Sequence, residues 1–298
     1  MVWVSRGACA GDASVLVLPP KLIPYGMEMH SASVVIIGGG NMGGALLRGG
    51  VASGVLSPER VVVAEPDGSK REALGANARV VGTVAEALAT GASHGVVLLA
   101  VKPQMFAGVA EEIRAAGGIG GRGVFSIMAG VSMRAIGERL GTARLVRAMP
   151  NLPASISRGI TAVSHSSGAT AADVAFAKML FGAVGEVVET EEAMIDAFTA
   201  VAGSGPAYVF LLAEAMEKAA CAVGFDEATA AKIVRQTIAG SAELMARSPQ
   251  SAAALRQAVT SKGGTTEAAL AVLGAGGFED VMSRAIEAAR DRGRALGS

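Results

Sequence analysis

The stretch VVIIGGGNMGGALLRGG, residues 34–50, decides how the chain reads. Val34–Ile37 is an unbroken β-branched run, the signature of a short strand buried on both faces. Directly after it, Gly38, Gly40 and Gly43 stand in G-x-G-x-x-G spacing, and helix-forming residues follow to Ala52. The spacing alone is weak; between a strand and a helix it acquires a mechanism. Gly38 permits a tight turn, Gly40 lets the backbone approach a pyrophosphate, and Gly43 lets helix and strand pack closely. The helix start then offers free N–H groups and partial positive charge to the phosphates. A glycine-rich turn without a ligand is the plainer alternative, and the strand-to-helix context argues against it.

Working outward, Val61–Ala64, Val96–Val101, Val124–Ile127 and Leu145–Ala148 read as strands. Met42–Ala52, Ser69–Leu74, Thr83–Leu88 and Pro103–Ala116 read as the helices between them. Continuous apolar strands alternating with helices predict an α/β domain, a parallel Rossmann-type sheet covered on both faces. Ile160–Val163 and Val184–Val188 are candidates to extend that sheet around a helix at Ala169–Phe181.

Three further positions fall at the carboxyl edge of this sheet, where ligands bind. Glu65 ends the second strand, about 20 residues beyond Gly43, where an acidic side chain accepts from ribose hydroxyls and repels a 2′-phosphate. That favours NADH over NADPH, although Lys70 and Arg71 are near enough in sequence to offset the repulsion. LLAVKPQMF, residues 98–106, places Lys102 to touch a ribose or phosphate, or to stand as a solvated strand-end lysine. RAMPNLP, residues 147–153, holds Asn151 between Pro150 and Pro153, either as a stiff site loop or as plain turn chemistry.

After Glu189 strand signals stop. One helix is expected over Glu192–Val201, broken by GSGP at 203–206, and another over Ala207–Val223, apolar nearly all round and so expected to be buried on several sides. Asp226 is a candidate N-cap for a helix to Ala246, and Ser248–Pro249 for a shorter one to Val259. Phe278, Val281, Met282, Ala285, Ile286 and Ala289 form an amphipathic stripe in the last helix. The expected organisation is therefore an irregular segment at 1–30, a dinucleotide-binding domain at 31–190 and an all-helical domain at 191–298. The first segment, with its Pro19–Pro20 pair, makes a poor signal peptide and reads as a loose, dispensable extension from an upstream start.

Composition narrows the function classes. Of 298 residues, 51% are hydrophobic and 17% charged, with a formal net charge of zero. No basic stretch suggests a nucleic-acid partner, and no apolar run approaches the ~20 residues of a membrane span. Cys9 and Cys221 are too few for a disulfide framework and fit a reducing, cytoplasmic setting. His30, His94 and His165 lack metal-ligand spacing, so no metal site is expected.

Within the helical half, TSKGGTTEA at 260–268 is a polar, flexible interruption, either a connector or a built anion site. Taken together, IGGGNMGGAL, AVKPQ, SIMAGVS, MPNLP, AVAGSGPAY and VTSKGGTTEAAL resemble the blocks of pyrroline-5-carboxylate reductases, in that family's order, over roughly residues 33–296. The resemblance implies NAD(P)H-dependent reduction of the cyclic imine of 1-pyrroline-5-carboxylate to L-proline. It implies cofactor contacts from Gly38, Gly40, Asn41, Met42, Gly43, Glu65, Ala100, Lys102, Pro103 and Asn151. It implies a substrate-carboxylate loop of Ser261, Gly263, Gly264, Thr265 and Thr266, the glycines exposing N–H groups as an anion nest. Thr266 is then the catalytic residue near the imine nitrogen, donating a proton, orienting the iminium or relaying from water. Lys262, where many relatives have proline, either loosens the loop or adds positive charge. The resemblance also implies a homodimer, or a larger oligomer, formed through the helical domain.

Rival expectations are another imine reductase, a β-hydroxyacid dehydrogenase, or a nucleotide-binding regulator without catalysis. The dehydrogenases place a catalytic lysine just beyond the interdomain glycines, whereas the first lysine here, Lys218, comes about three turns too late. A regulator has no need of the serine, paired glycines and threonines of the 260–266 loop.

Overall fold

The computed structural model describes residues 33–297, so the segment 1–30 and its expected role lie outside the described residues. Among the described residues the strands are β1 (Val34–Ile37), β2 (Val61–Ala64), β3 (Arg79–Val81), β4 (Val96–Leu99), β5 (Gly123–Ser126), β6 (Leu145–Pro150), β7 (Gly159–His165) and β8 (Gly185–Glu189). The helices are α1 (Asn41–Ala52), α2 (Gly68–Leu74), α3 (Val84–Thr90), α4 (Phe106–Ala115), α5 (Met133–Leu140), α6 (Ala171–Gly182), α7 (Ile195–Phe198), α8 (Gly205–Ala222), α9 (Glu227–Arg247), α10 (Ala252–Ala258), α11 (Thr265–Ala275) and α12 (Phe278–Gly297).

The strands form one sheet in the order β3-β2-β1-β4-β5-β6-β7-β8. The pairs from β3 to β6 are parallel, β7 turns antiparallel to β6, and β8 runs parallel to β7. Strand periodicity splits the core cleanly. Val34 and Ile36 join Leu46, Phe125, Phe176 and Phe181 on one face; Val35 and Ile37 join Val97, Leu99, Phe106 and Ile113 on the other. Every residue of β1, β2, β4 and β5 is buried, as helices on both faces require.

Two elements of this sheet unit have little sequence signal. β3 is a three-residue edge strand with exposed Arg79. α5 is short, but its ends are marked: Ser132 Oγ accepts from the Ala135 N–H, and Gly141 closes it at φ 65°. Charged side chains brace the sheet's far half. Arg144 grips Asp173 bidentately at 2.6 and 2.7 Å, and Asp173 completes a capping box with Thr170. Burial pushes the Asp173 carboxyl up, and the hydrogen bonds from Arg144 and Thr170 outweigh it, holding it below its ordinary value.

The described chain divides into two compact units, one running to Gly203 and taking in the residues from Gly293, the other Ser204–Arg292. The change from strand to helix falls near 190, but the packing boundary falls later, because α7 and a π-helical turn, Thr199–Gly203, pack on β6. GSGP breaks the helical path as expected, but only briefly. The π turn and a single bend at Ser204 carry it into α8, with Pro206 in its first turn. As a result Glu192–Ala222 is, by length and composition, long and apolar enough to cross a membrane, contrary to the expectation above. Its first turns are nevertheless tied to the sheet: buried Arg147 on β6 pairs with Glu192 at 3.1 Å and Asp196 at 3.7 Å.

The helical unit is thinly covered. α8 packs on α9 yet has no buried residue in the single chain, where burial on several sides was expected. Ala230 and Val234 are the buried residues of this unit, while Phe210, Leu211, Val259 and Val272 are 60 to 72% exposed. Asp226 caps α9 through the Thr229 N–H, as expected. The cap of α10 is Ser251, accepting from the Ala254 N–H, and not Ser248, whose hydroxyl accepts from the Gln250 N–H instead.

Candidate active site

The parallel register sets the nucleotide end of the site. Ile37 lies opposite both Ala64 and Leu99, so the residues that follow, Gly38, Glu65 and Ala100, emerge side by side. This is also where strand order reverses, β1 having β2 on one side and β4 on the other.

Each glycine there has a distinct steric reason. Gly38 has φ +104°, and a Cβ on it would lie 2.6 Å from the Ala100 carbonyl oxygen. A Cβ on Gly43 would lie 2.2 Å from the Gly38 carbonyl oxygen and 3.2 Å from Ala100 Cβ. Gly40 is the opposite case: nothing lies within 4 Å of where its Cβ would be. It is the N-cap of α1, receives no side-chain cap, and has no acidic residue in the turn that follows. Open space beside an uncapped helix start fits a phosphate of a dinucleotide. Asn41 is exposed and Met42 half-buried on that same turn, and Lys102 and Pro103 are exposed beyond β4.

Glu65 is placed differently from its sequence reading. It is buried, and its two carboxylate oxygens accept from the Gly39 N–H (2.8 Å) and the Asp67 N–H (3.0 Å). The carboxylate thus shapes the glycine turn from beneath. Gly39, unassigned by the spacing rule, also packs tightly here: a Cβ would lie 2.5 Å from the Leu74 side chain and 3.2 Å from Glu65 Cβ. Arg71 donates to the carbonyls of Glu65 and Pro66, which sets a positive charge beside the end of β2.

Asn151 also proves to be a brace. Its Oδ1 accepts from the Ile160 N–H (2.9 Å), and its Nδ2 donates to the Ala202 carbonyl (3.1 Å) in the π turn. Arg147, four residues earlier in the same sequence block, went unassigned by pattern; a charged residue within an apolar strand was its signal. Its Nε is buried without a partner, and Glu192 also accepts from the Met133 N–H.

In the helical unit, residues 259–264 join α10 to α11, and Thr265 and Thr266 of the 260–266 stretch are the first residues of α11. Gly263 has φ +72°, a conformation that favours glycine, and Gly264 is the N-cap of α11 without a side-chain cap. The Gly264 N–H donates to the Ser261 carbonyl at 3.0 Å, so it closes the turn and is not a free nest donor. A Cβ on Gly264 would lie 2.5 Å from Ser261 Oγ. The Gly263 N–H does hold an anionic group, the Glu267 carboxylate, at 2.7 Å. Ser261, Lys262 and Thr265 are exposed and Thr266 is half-buried.

Comparison with known proteins bears on both units. Residues 192–296 match the family model for pyrroline-5-carboxylate reductase dimerisation. Residues 33–130 match the model described as NADP oxidoreductase coenzyme F420-dependent. The chain is 40% identical to a pyrroline-5-carboxylate reductase of Synechocystis over 90% of its own length and 99% of that protein. Among solved structures, a pyrroline-5-carboxylate reductase from Coxiella burnetii superposes with a TM-score of 0.80 at 35% identity, covering 90% of this chain and 99% of that one. The Plasmodium falciparum pyrroline carboxylate reductase with NADP bound gives a TM-score of 0.78 at 26% identity, covering 91% and 100%. A glycine turn shaped for a dinucleotide, a helical unit of the matching kind and full-length similarity converge: the chain belongs to the pyrroline-5-carboxylate reductase family.

Proposed function

We propose how this chain divides between its units the reaction of its family, the pyridine-nucleotide-dependent reduction of 1-pyrroline-5-carboxylate to L-proline, the last step of proline biosynthesis. When bound, the reduced nicotinamide supplies a hydride. The uncapped start of α1, Gly40 with Asn41, Met42 and Gly43, holds the pyrophosphate, and the open space beside Gly40 is the observation that carries this reading. Ala100, Lys102 and Pro103, which follow β4 beside the end of β1, are assigned to the same nucleotide. Asn151 serves it indirectly, by fixing the chain that leads into α8.

The 260–266 loop receives the substrate carboxylate. The Gly263 N–H and the hydroxyls of Ser261 and Thr265 are its donors, helped by the N-terminal field of α11. Thr266 hydrogen-bonds the imine nitrogen and supplies or relays the proton that the nitrogen gains as the imine carbon takes the hydride. A threonine hydroxyl is a weak acid, so orientation of the two reactants provides most of the acceleration.

For the cofactor, the Glu65 carboxylate disfavours a 2′-phosphate, while its engagement with backbone N–H groups and the neighbouring Arg71 blunt the effect. NADH is preferred, by less than about tenfold. The exposed apolar side chains of α8 and α11 are covered by a second copy, giving a homodimer that works in the cytoplasm. The test is oxidation of NADH and of NADPH dependent on added 1-pyrroline-5-carboxylate. Turnover with both, faster with NADH, is expected; a strong NADPH preference overturns the role given to Glu65, and no turnover with dinucleotide binding intact overturns the whole reading.

A further inference from the structure

We infer that Glu267 is a tethered competitor for the substrate carboxylate, so that the acidic arm in the first turn of α11 sets substrate affinity. The inference rests on the reading that the 260–266 loop receives that carboxylate. The Gly263 N–H donates to Glu267 Oε2 at 2.7 Å, a length typical of a charge-assisted bond. Nothing lies within 4 Å of where a Cβ on Gly263 would be, so the turn is open on that side, while the N–H itself is taken by Glu267. The neighbouring Gly264 N–H is already spent on the Ser261 carbonyl. Of the two glycine donors, the one left to bind an anion therefore carries the protein's own carboxylate.

A second carboxylate cannot share that N–H, and two like charges at such range repel. Glu267 must swing away before the substrate anion seats. Its side chain is exposed, so leaving costs no burial, only the contact itself. A glutamate at this helix position could instead act purely as a cap for an upstream N–H. The two roles predict opposite things: a cap contributes stability and leaves affinity alone, whereas a competitor raises KM.

The experiment uses the full-length protein with Glu267→Ala, Glu267→Gln and Glu267→Asp. In Glu267→Ala, KM for 1-pyrroline-5-carboxylate falls about fivefold, the scale of one exposed hydrogen bond to a charged group. Product inhibition by L-proline tightens in parallel, and kcat and dinucleotide affinity hold. Glu267→Gln, still able to accept but uncharged, gives a smaller fall. Glu267→Asp keeps the charge on a shorter arm, and its KM falls as in Glu267→Ala. An unchanged or raised KM in Glu267→Ala, with or without a lower Tm, overturns the inference. A fall in the Ala and Gln variants but not in Asp assigns the effect to charge alone and also overturns the tether. Ser261→Ala separates this from the underlying reading: if it leaves KM unchanged, the loop is not the carboxylate site; if it raises KM while Glu267→Ala does nothing, only the competitor falls.

Discussion

The two units spend their apolar residues in opposite ways. In the sheet unit Val34, Leu98, Phe125 and Phe181 are fully buried, and each face of the sheet has its own closed core. In the helical unit α8 and α11 have no buried residue, and Leu211 and Val272 stand 66 and 72% exposed. A folded chain does not hold so many large apolar side chains in water without cover from another surface. The first unit closes its core within the chain; the second matches a dimerisation family model and leaves its apolar helices exposed.

The largest effects should come from breaking that contrast. Gly43→Ala drives a Cβ into a backbone oxygen that cannot move aside, so folded, dinucleotide-binding protein should be lost, checked by circular dichroism and dinucleotide titration. Gly40→Ala meets no protein atom, so Tm should hold while dinucleotide affinity falls about tenfold; unchanged affinity would remove the phosphate from this turn. On the helical side, the double substitution Phe210→Asp with Leu211→Asp should yield monomers by light scattering while dinucleotide binding persists.

Smaller effects sharpen each half. Thr266→Ala should lower kcat by about a hundredfold or less with dinucleotide affinity unchanged, at the low end for general acid catalysis because a threonine hydroxyl is a weak acid. Unaffected kcat would mean that solvent protonates the nitrogen. Asp173→Asn should cost the sheet unit about 2 kcal/mol at neutral pH, read from denaturant unfolding, because Arg144 loses its charged partner. The native carboxyl lies below its ordinary 3.8, so its contribution is full above that value and lost as pH falls through the lowered native one. The stability gap between wild type and Asp173→Asn should therefore close on strong acidification.

What the sequence made legible follows the same division. β1 and β2 were readable to the residue, because both faces of each strand are buried and the β-branched run is unbroken. β3 was not, being an edge strand with one exposed arginine, nor was α5, where Gly137 and three charged residues in eight dilute the apolar signal. In the site, spacing identified Gly38, Gly40 and Gly43 because steric need maps directly onto residue type. It could not say that Glu65 turns inward to Gly39 or that Asn151 reaches Ala202, since those partners lie 26 and 51 residues away in sequence. Nor can a single chain's pattern say what covers α8: an all-round apolar helix reads the same whether its own domain or a second copy buries it.

The proposed dimer puts a second copy over the exposed apolar side chains of α8, Phe210 and Leu211 among them. Light scattering and 1-pyrroline-5-carboxylate-dependent NADH oxidation, measured on the same samples of wild type and the Phe210→Asp, Leu211→Asp variant, test it most directly. The account predicts an active dimer or larger assembly for the wild type, and a monomer that still binds the dinucleotide for the variant. A wild-type monomer that turns over at full rate would contradict it.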